Sequence, residues 1–227
     1  MNASQKLIIF DVDGTLVDSQ ASILACMEYA FAKAGREVPS REAALGIVGL
    51  SLPEAMAVLA PDASKDVQLQ LAADYKTGHT EHREDGWKTA DAALYEGVSE
   101  AIHRIHEMGY GLSAATGKSR RGLDRFLAAH GFDIMFKGTQ TADDAPSKPH
   151  PQMVLNCLSL TGTSAQNALI VGDTEYDMAM GRAAGVSTIG VSWGYQPVTR
   201  VKKGGADVIA DKVEDLLPLI QDLLGAP

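Results

Sequence analysis

The sequence contains few cysteines, no long apolar run and fewer basic than acidic residues. Its two cysteines, Cys26 and Cys157, both lie in apolar helical patterns. We therefore interpret them as small core residues rather than as a disulfide pair. The apolar run after Lys6 stops at Asp11, which is far too short for a signal core or a membrane span. We expect a soluble, cytoplasmic protein.

The charge balance bears on the partners that the protein can bind. The net charge is −9, from 20 basic and 29 acidic residues. An acidic surface disfavours nucleic acid and anionic membranes as partners. It leaves a small phosphorylated molecule possible, because a metal ion and one or two cations can invert the local field. With 227 residues, of which 45% are hydrophobic, the chain can form a full core.

Residues 7–19, LIIFDVDGTLVDS, organise the rest of the chain. The leading apolar residues predict a short strand that is buried on both faces. Asp11 and Asp13 follow at once, and uncompensated charge at the end of a buried strand is costly, which indicates a use for the pair. Gly14 permits a sharp turn with positive φ, and Asp-x-Asp suits a hard cation. The stretch alone also fits a strand followed by a simple Asp-Gly turn.

The remaining sequence divides into a helical part and an alternating part. Only helical patterns occur between Asp18 and Gly86, whereas strands alternate with helices from Leu94 onward. The alternation predicts a doubly wound α/β core with a parallel sheet, formed by residues 1–17 and 87–227. We interpret residues 18–86 as an inserted all-helical cap. Strands are predicted at residues 110–115, 168–171, 187–191 and 208–210, with a weaker one near 135–138.

Polar residues follow the predicted strands at four places. Ligands of open parallel sheets bind beyond the carboxyl ends of the strands, so these residues should meet at one edge. Singly, each has an ordinary explanation as a cap, a solvated lysine or a turn. Together they supply a nucleophile, a hydroxyl donor, a cation and an acidic pair, the groups that phosphoryl transfer needs. The four places are Asp11 with Asp13, then Thr116, then Lys148, then Asp173 with Asp177.

The motif Asp11-x-Asp13-Gly14-Thr15-Leu16-Val17, with the three later places, resembles the four ordered motifs of the haloacid dehalogenase superfamily. The helical insert after the first motif resembles the cap of its phosphoglycolate phosphatases. The resemblance implies that Asp11 is a nucleophile that forms an aspartyl-phosphate. It implies that Asp13 protonates the leaving alcohol and then activates water.

The same resemblance implies roles for the other motif residues. Thr116 would donate its hydroxyl to a phosphoryl oxygen, and Lys148 would neutralise the charge that builds there. Many relatives carry Asn where this chain has Gly117, whose backbone amide remains available for phosphate. The phosphate-binding set is thus Asp13, Gly14, Thr116, Gly117 and Lys148. Mg²⁺ would bind the Asp11 carboxylate, the Asp13 carbonyl and Asp173, with Asp177 supporting its waters or Lys148.

The predicted function is a Mg²⁺-dependent phosphatase, similar to phosphoglycolate phosphatases, that acts on a small phosphorylated metabolite. One alternative is a phosphomutase like β-phosphoglucomutase on the same scaffold. A non-enzymatic alternative is a phospho-receiver switch, which the helical insert and the position of Asp11 on the first strand disfavour. A dehalogenase is disfavoured because that branch lacks an acid at the position of Asp13. We expect a monomer or a small homo-oligomer.

Several expectations concern the surroundings of the site. The connectors at residues 16–19 and 86–90 should form a hinge, and the loop of residues 46–51 should reach toward the site. We interpret the pair His79 and His82, and the pair His103 and His106, as surface histidines. Arg120 and Arg121 follow the second motif; contact with a substrate carboxylate is one interpretation, and a solvated helix start is the one that we favour.

Overall fold

The structure is a computed structural model that describes residues 5–84 and 93–227. The predicted cap boundary at residues 86 and 87, and the predicted hinge segment 86–90, lie outside the described residues. No helix within the two described ranges is long and apolar enough to cross a membrane.

The sheet has six parallel strands with β1 in the middle. Leu7 of β1 pairs with Gly111 on one side and with Ala168 on the other. The strand order is β3-β2-β1-β4-β5-β6, so the chain reverses direction across the sheet next to β1. Such a reversal point opens a crevice at the carboxyl edge of the sheet. The strands are β1 Leu7–Phe10, β2 Gly111–Thr116, β3 Gln140–Thr141, β4 Ala168–Gly172, β5 Ser187–Val191 and β6 Val208–Ala210.

The segment after β1 forms a helical insert with its own core. Its helices are α1 Gln20–Lys33, α2 Arg41–Gly46, α3 Leu52–Leu59 and α4 Lys65–Glu84. Met27, Phe31, Met56 and Leu71 are buried together between these helices. The described residues of the insert contain no strand, as predicted. The chain leaves and re-enters the core side by side, because Asp18 N donates to Ala93 O at 3.0 Å.

Helices cover both faces of the sheet. Alternate residues of β1 point to opposite layers, as expected for a buried parallel strand. Ile8 and Phe10 pack with α5, α6 and α10, whereas Leu7 and Ile9 pack with α7 and α8. The predicted doubly wound fold is confirmed. These helices are α5 Val98–Glu107, α6 Arg120–Ala129, α7 Gln152–Thr161, α8 Glu175–Ala184, α9 Val198–Gly204 and α10 Leu216–Leu224, with short 3₁₀ helices at Ala165–Asn167 and Val213–Asp215.

Some local details differ from the sequence prediction. The edge strand lies at Gln140–Thr141 rather than near residues 135–138, where Phe136 makes only an isolated bridge with Leu112. Ser51-Leu52-Pro53-Glu54 has the spacing of a capping box, which predicts a capping hydrogen bond from Ser51, but the Ser51 side chain makes none at the start of α3. Its backbone N–H instead donates to Ser147 Oγ of the core at 2.8 Å. Cys26 and Cys157 are buried and unpaired, as predicted.

Candidate active site

The turn after β1 places Asp11 at the centre of the carboxyl edge. The Asp11 side chain is buried, and its backbone N–H donates to Val171 O of β4 at 2.9 Å. Gly14 has φ +85°, and a Cβ at this position would lie 2.3 Å from Asp173 Oδ2. Thr15 Oγ1 donates to Asp173 Oδ1 at 3.2 Å. The turn therefore requires glycine both for its backbone angle and for the close approach of the Asp173 carboxylate.

Lys148 joins the first and last motifs. Its Nζ lies 2.7 Å from Asp11 Oδ1 and 2.6 Å from Asp177 Oδ1, and all three side chains are buried. The other Asp177 oxygen accepts hydrogen bonds from the backbone and the hydroxyl of Thr174, which completes a capping box at the start of α8. Asp177 is thus fixed by its own helix, and it holds the ammonium group beside Asp11.

The buried cluster contains three carboxyl groups and one ammonium group, and burial together with their mutual proximity shifts their pKa values. Burial raises the pKa of Asp11 to about 7, although the neighbouring Lys148 partly opposes the shift. Burial also raises the pKa of Asp173 well above its ordinary value, and the charge of Asp11 adds to the effect. Burial alone would lower the pKa of Lys148, but Asp11 and Asp177 together raise it. One ammonium faces three carboxylates, so the cluster can accept further positive charge.

A divalent metal fits this cluster. One carboxylate oxygen each from Asp11, Asp173 and Asp177 lie within 4.8 Å of one another. Asp11 Oδ2 is buried and has no hydrogen-bond partner in the described part of the chain, so an uncompensated ligand atom points into the site. The donors are all hard oxygens, which suit Mg²⁺ better than zinc.

Asp173 and Asp177 differ in how far their oxygens are already engaged. Asp177 binds a lysine through one oxygen and a helix start through the other. Among residues 5–84 and 93–227, the donors to Asp173 are neutral: the Thr15 hydroxyl and the Tyr195 backbone N–H, the latter at 2.8 Å. Its surroundings therefore favour Asp173 over Asp177 as a direct ligand, with Asp177 acting through Lys148.

Asp13 lies on the open side of the turn and has a different partner. Its Oδ1 lies 2.8 Å from Lys118 Nζ, and Ser19 Oγ also donates to this oxygen. Lys118 is not among the residues predicted from the sequence. Its position two residues after Thr116, in a loop at the carboxyl edge, is the signal that could have identified it.

Thr116 and Gly117 end β2 beside the insert. Thr116 is buried, and its Oγ1 accepts a hydrogen bond from Lys118 N at 3.3 Å. A Cβ on Gly117 would lie 3.0 Å from the carbonyl oxygens of Gly49 and Leu50. The loop of residues 46–51 therefore lies against the candidate site, as predicted.

A cavity of about 570 Å³ separates the insert from the site. Asp11, Asp13 and Thr116 lie on its core side. Most of the apolar residues of its wall belong to the insert, namely Ile23, Met27, Ile47, Val48, Leu50, Leu52, Pro53, Ala55 and Tyr75, and Ala142, Ala145 and Pro146 of the core add to them. A molecule bound here would thus meet apolar side chains mainly on the side of the insert.

Two of the predicted surface residues line this cavity. His79 is partly buried in its wall, because its face of α4 turns toward the core. Arg121 also lines the cavity, whereas Arg120 pairs with Asp144 at 2.6 Å. The side chains of His103 and His106 are exposed, as predicted. The side chain of His82 lies outside the described residues.

The four motifs that form this site match those of a known protein family. The model of the haloacid dehalogenase-like hydrolases matches residues 8–191, which include all four motifs. The chain belongs to this family. A haloacid dehalogenase-like hydrolase is an enzyme, so the prediction of an enzyme is confirmed. The resemblance to this family that the motifs indicated is confirmed as well.

Individual relatives cover almost the whole chain. The probable phosphatase IndB of Dickeya dadantii is 31% identical over 97% of this chain and 95% of its own length. Pyrophosphatase PpaX of Bacillus pumilus is 31% identical over 97% of this chain and 99% of its own length. A solved structure described as a predicted phosphoglycolate phosphatase from Haemophilus somnus has a TM-score of 0.81 and 23% identity, with 97% and 100% coverage. This structural likeness supports the fold of core and insert together.

The fold brings the predicted site residues of the haloacid dehalogenase-like hydrolase into one region. Asp11, Lys148 and Asp177 are in direct contact, and Asp173 lies within ligand distance of Asp11. Asp13, Thr116 and Gly117 line the adjoining cavity. Their chemical roles remain predictions.

Proposed function

We propose that this chain is a Mg²⁺-dependent phosphatase that hydrolyses a small phosphorylated metabolite through an aspartyl-phosphate on Asp11. The observation that carries the proposal is the asymmetry of the Asp11 carboxylate. Its Oδ1 is held by Lys148, whereas its buried Oδ2 has no hydrogen-bond partner in the described part of the chain. Membership of the hydrolase family, and two relatives named as phosphatases, support the same reaction. Phosphoglycolate is the first substrate to test.

In the first step, an oxygen of the Asp11 carboxylate attacks phosphorus, and the bond from phosphorus to the alcohol oxygen breaks. Asp13 gives its proton to the departing alkoxide, which leaves as the alcohol. In the second step, Asp13 takes a proton from water as the water oxygen attacks phosphorus. The bond between phosphorus and the Asp11 carboxylate then breaks, and inorganic phosphate leaves.

The surrounding residues position and neutralise the reacting groups. Lys148 holds Asp11 in one orientation and supplies positive charge next to the phosphoryl group. Thr116 and the Gly117 amide would bind phosphoryl oxygens at the end of β2. Asp11, Asp173 and the Asp13 carbonyl would hold Mg²⁺, which would neutralise charge on the phosphoryl group. The insert covers the cavity and so limits the access of water.

The decisive experiment compares Asp11→Asn with Asp13→Asn. With p-nitrophenyl phosphate, whose leaving group needs little protonation, Asp13→Asn should form the phosphoenzyme but hydrolyse it slowly. Loss of proton transfer is worth about 10²–10⁴-fold in rate. Intact-protein mass spectrometry should find one added phosphoryl group on Asp13→Asn and none on Asp11→Asn. Wild-type turnover by Asp11→Asn, or a phosphoryl group on another residue, would reject the mechanism.

Two further measurements test the metal and the reaction outcome. Exhaustive chelation should abolish phosphate release, and Mg²⁺ should restore it. Ca²⁺ should inhibit, because it prefers more ligands at longer distances. Full activity after chelation would refute the metal assignment. Isomerisation of a sugar phosphate without release of free phosphate would favour the mutase instead.

A further inference from the structure

Two arginines of α6 lie in the wall of the cavity. Arg121 and Arg125 are four residues apart, so they lie on the same face of the helix. Both line the cavity that contains Asp11 and Asp13. Arg121 is exposed and Arg125 is half-buried, which leaves both guanidinium groups accessible to a bound molecule.

These arginines differ from their neighbour in their partners. Arg120 pairs with Asp144 and Asp124 and donates to both oxygens of Thr139. Within residues 5–84 and 93–227, Arg121 and Arg125 make no hydrogen bond or ion pair with another residue. A guanidinium carries five N–H donors in a planar fork that matches carboxylate and phosphate groups. The two side chains therefore offer donors that are not used by the fold.

The acidic residues of the cavity do not neutralise this pair. Asp13 is already paired with Lys118. Asp143 and Glu54 also line the cavity, but both are exposed, and Asp143 accepts a hydrogen bond from the Arg120 backbone at 2.7 Å. The cavity wall thus retains two cationic groups that are available to a ligand.

The position of the arginines sets the distance to the reacting phosphate. The residues just before α6, from Thr116 to Ser119, line the cavity near Asp13. With a rise of about 1.5 Å per residue, Arg125 Cα lies about 9 Å along the helix axis from Ser119. Long helical side chains lean back toward the N-terminus, which brings the guanidinium groups closer to the phosphate end. The apolar side chains of the insert, such as Leu50 and Tyr75, line the cavity between the arginines and its phosphate end.

We propose that Arg121 and Arg125 form a subsite that binds a second anionic group, a carboxylate or a phosphate, on the leaving group of the substrate. This inference rests on the proposed phosphatase function and names its substrate class. The substrate is a phosphomonoester whose second anion is separated from the phosphate by a short carbon chain. That chain packs against the apolar wall of the insert.

The test uses matched pairs of substrates that differ only in the second anion. One series consists of ω-phosphooxy carboxylates with two to five carbons, beginning with phosphoglycolate. Its control series consists of alkyl phosphates with the same number of carbons. A third series of alkanediol bisphosphates distinguishes a phosphate from a carboxylate as the second anion. Phosphate release is measured in the Mg²⁺-loaded full chain as kcat/KM.

The matched variants are Arg121→Gln, Arg125→Gln and the double variant, with Arg104→Gln on the exposed face of α5 as the charge control. The double variant should lose about tenfold to a hundredfold in kcat/KM for the preferred dianionic series, the usual range for charge-assisted hydrogen bonds. Alkyl phosphates should change by less than about twofold. Replacement of both arginines by lysine should restore part of the loss, because lysine keeps the charge but lacks the fork.

The outcomes separate this inference from the function on which it rests. Equal effects of the double variant on charged and uncharged substrates, or no effect on either, would overturn the subsite. If the double variant shows no cooperative unfolding transition, the same kcat/KM comparison is made with the single variants. The proposed function fails if the wild-type chain with Mg²⁺ releases no phosphate from any of the three series and none from p-nitrophenyl phosphate.

Discussion

Replacement of Lys148 by methionine tests the electrostatic balance of the buried site. Lys148 is fully buried, and its Nζ pairs with Asp11 and Asp177 at 2.7 and 2.6 Å. Methionine keeps much of the side-chain volume but removes the ammonium group that lies among the buried carboxyl groups of Asp11, Asp173 and Asp177. Removal of one partner from a buried ion pair costs about 3–5 kcal/mol. Because a domain unfolds with about 5–15 kcal/mol, Lys148→Met should lose a large part of its stability.

The assay is urea unfolding in chelator at pH 8, followed by circular dichroism. Lys118→Met is the matched control, because the Lys118–Asp13 pair is partly exposed, and it should cost less than about 1 kcal/mol. Adding Asp177→Asn to Lys148→Met should recover part of the loss by removing one of the unpaired charges. Saturating Mg²⁺ should also narrow the difference in unfolding free energy, because the carboxylates bind the cation more tightly without Lys148 and so gain more stability from it. If Lys148→Met unfolds within about 1 kcal/mol of wild type in chelator, the reasoning is refuted.

Two further predictions concern pH and the loop of the insert. In metal-free buffer the free energy of unfolding should fall as the pH rises from about 4 to about 7. The slope should be at most about 1.4 kcal/mol per pH unit for each of the two carboxyl groups concerned, Asp11 and Asp173. Burial raises the pKa of Asp11 to about 7, and that of Asp173 also rises, so the folded state retains protons that the unfolded chain releases near pH 4. Urea titrations across this pH range measure the free energy of unfolding, and a value that rises with pH would contradict the prediction. Gly117→Ala should lower kcat/KM at least about tenfold, because its Cβ would lie 3.0 Å from Gly49 O and must displace the loop. Gly131→Ala is strained at φ +70° but has open space around it, so it should lose stability with unchanged kcat/KM; equal kcat/KM losses would refute the steric explanation.

Much of the site could be predicted because its residues follow buried strands directly. Asp11 comes immediately after β1, and Asp173 immediately after β4, so the parallel topology brings them together. The contact of Lys148 with Asp177 also follows from placing both at this edge, although the sequence could not specify that Asp177 would cap α8 with its second oxygen. The order of these residues along the chain and the strand topology were sufficient to predict that they lie together.

The missed features depend on contacts between distant segments. Lys118 follows Thr116 at the predicted edge of the sheet, but its pairing with Asp13 depends on how two separate loops meet in the fold. His79 belongs to a polar helix, and only the packing of α4 determines that this side chain lines the cavity. Ser51 has the spacing of a capping box, but its N–H bonds to the core at Ser147. The edge strand β3 has two residues, too few to produce a periodic signal.

The central position of β1 also has a consequence for biosynthesis. Its two neighbours, β2 and β4, begin about 100 and about 160 residues later in the chain. The helices of the insert pack mainly on one another, with α1 against α4, so their contacts are available while the chain is still being made. Asp11 gains the second of its flanking strands only after residue 172 has left the ribosome. A chain that ends before β4 would therefore contain the whole insert and Asp11 but neither Asp173 nor Asp177.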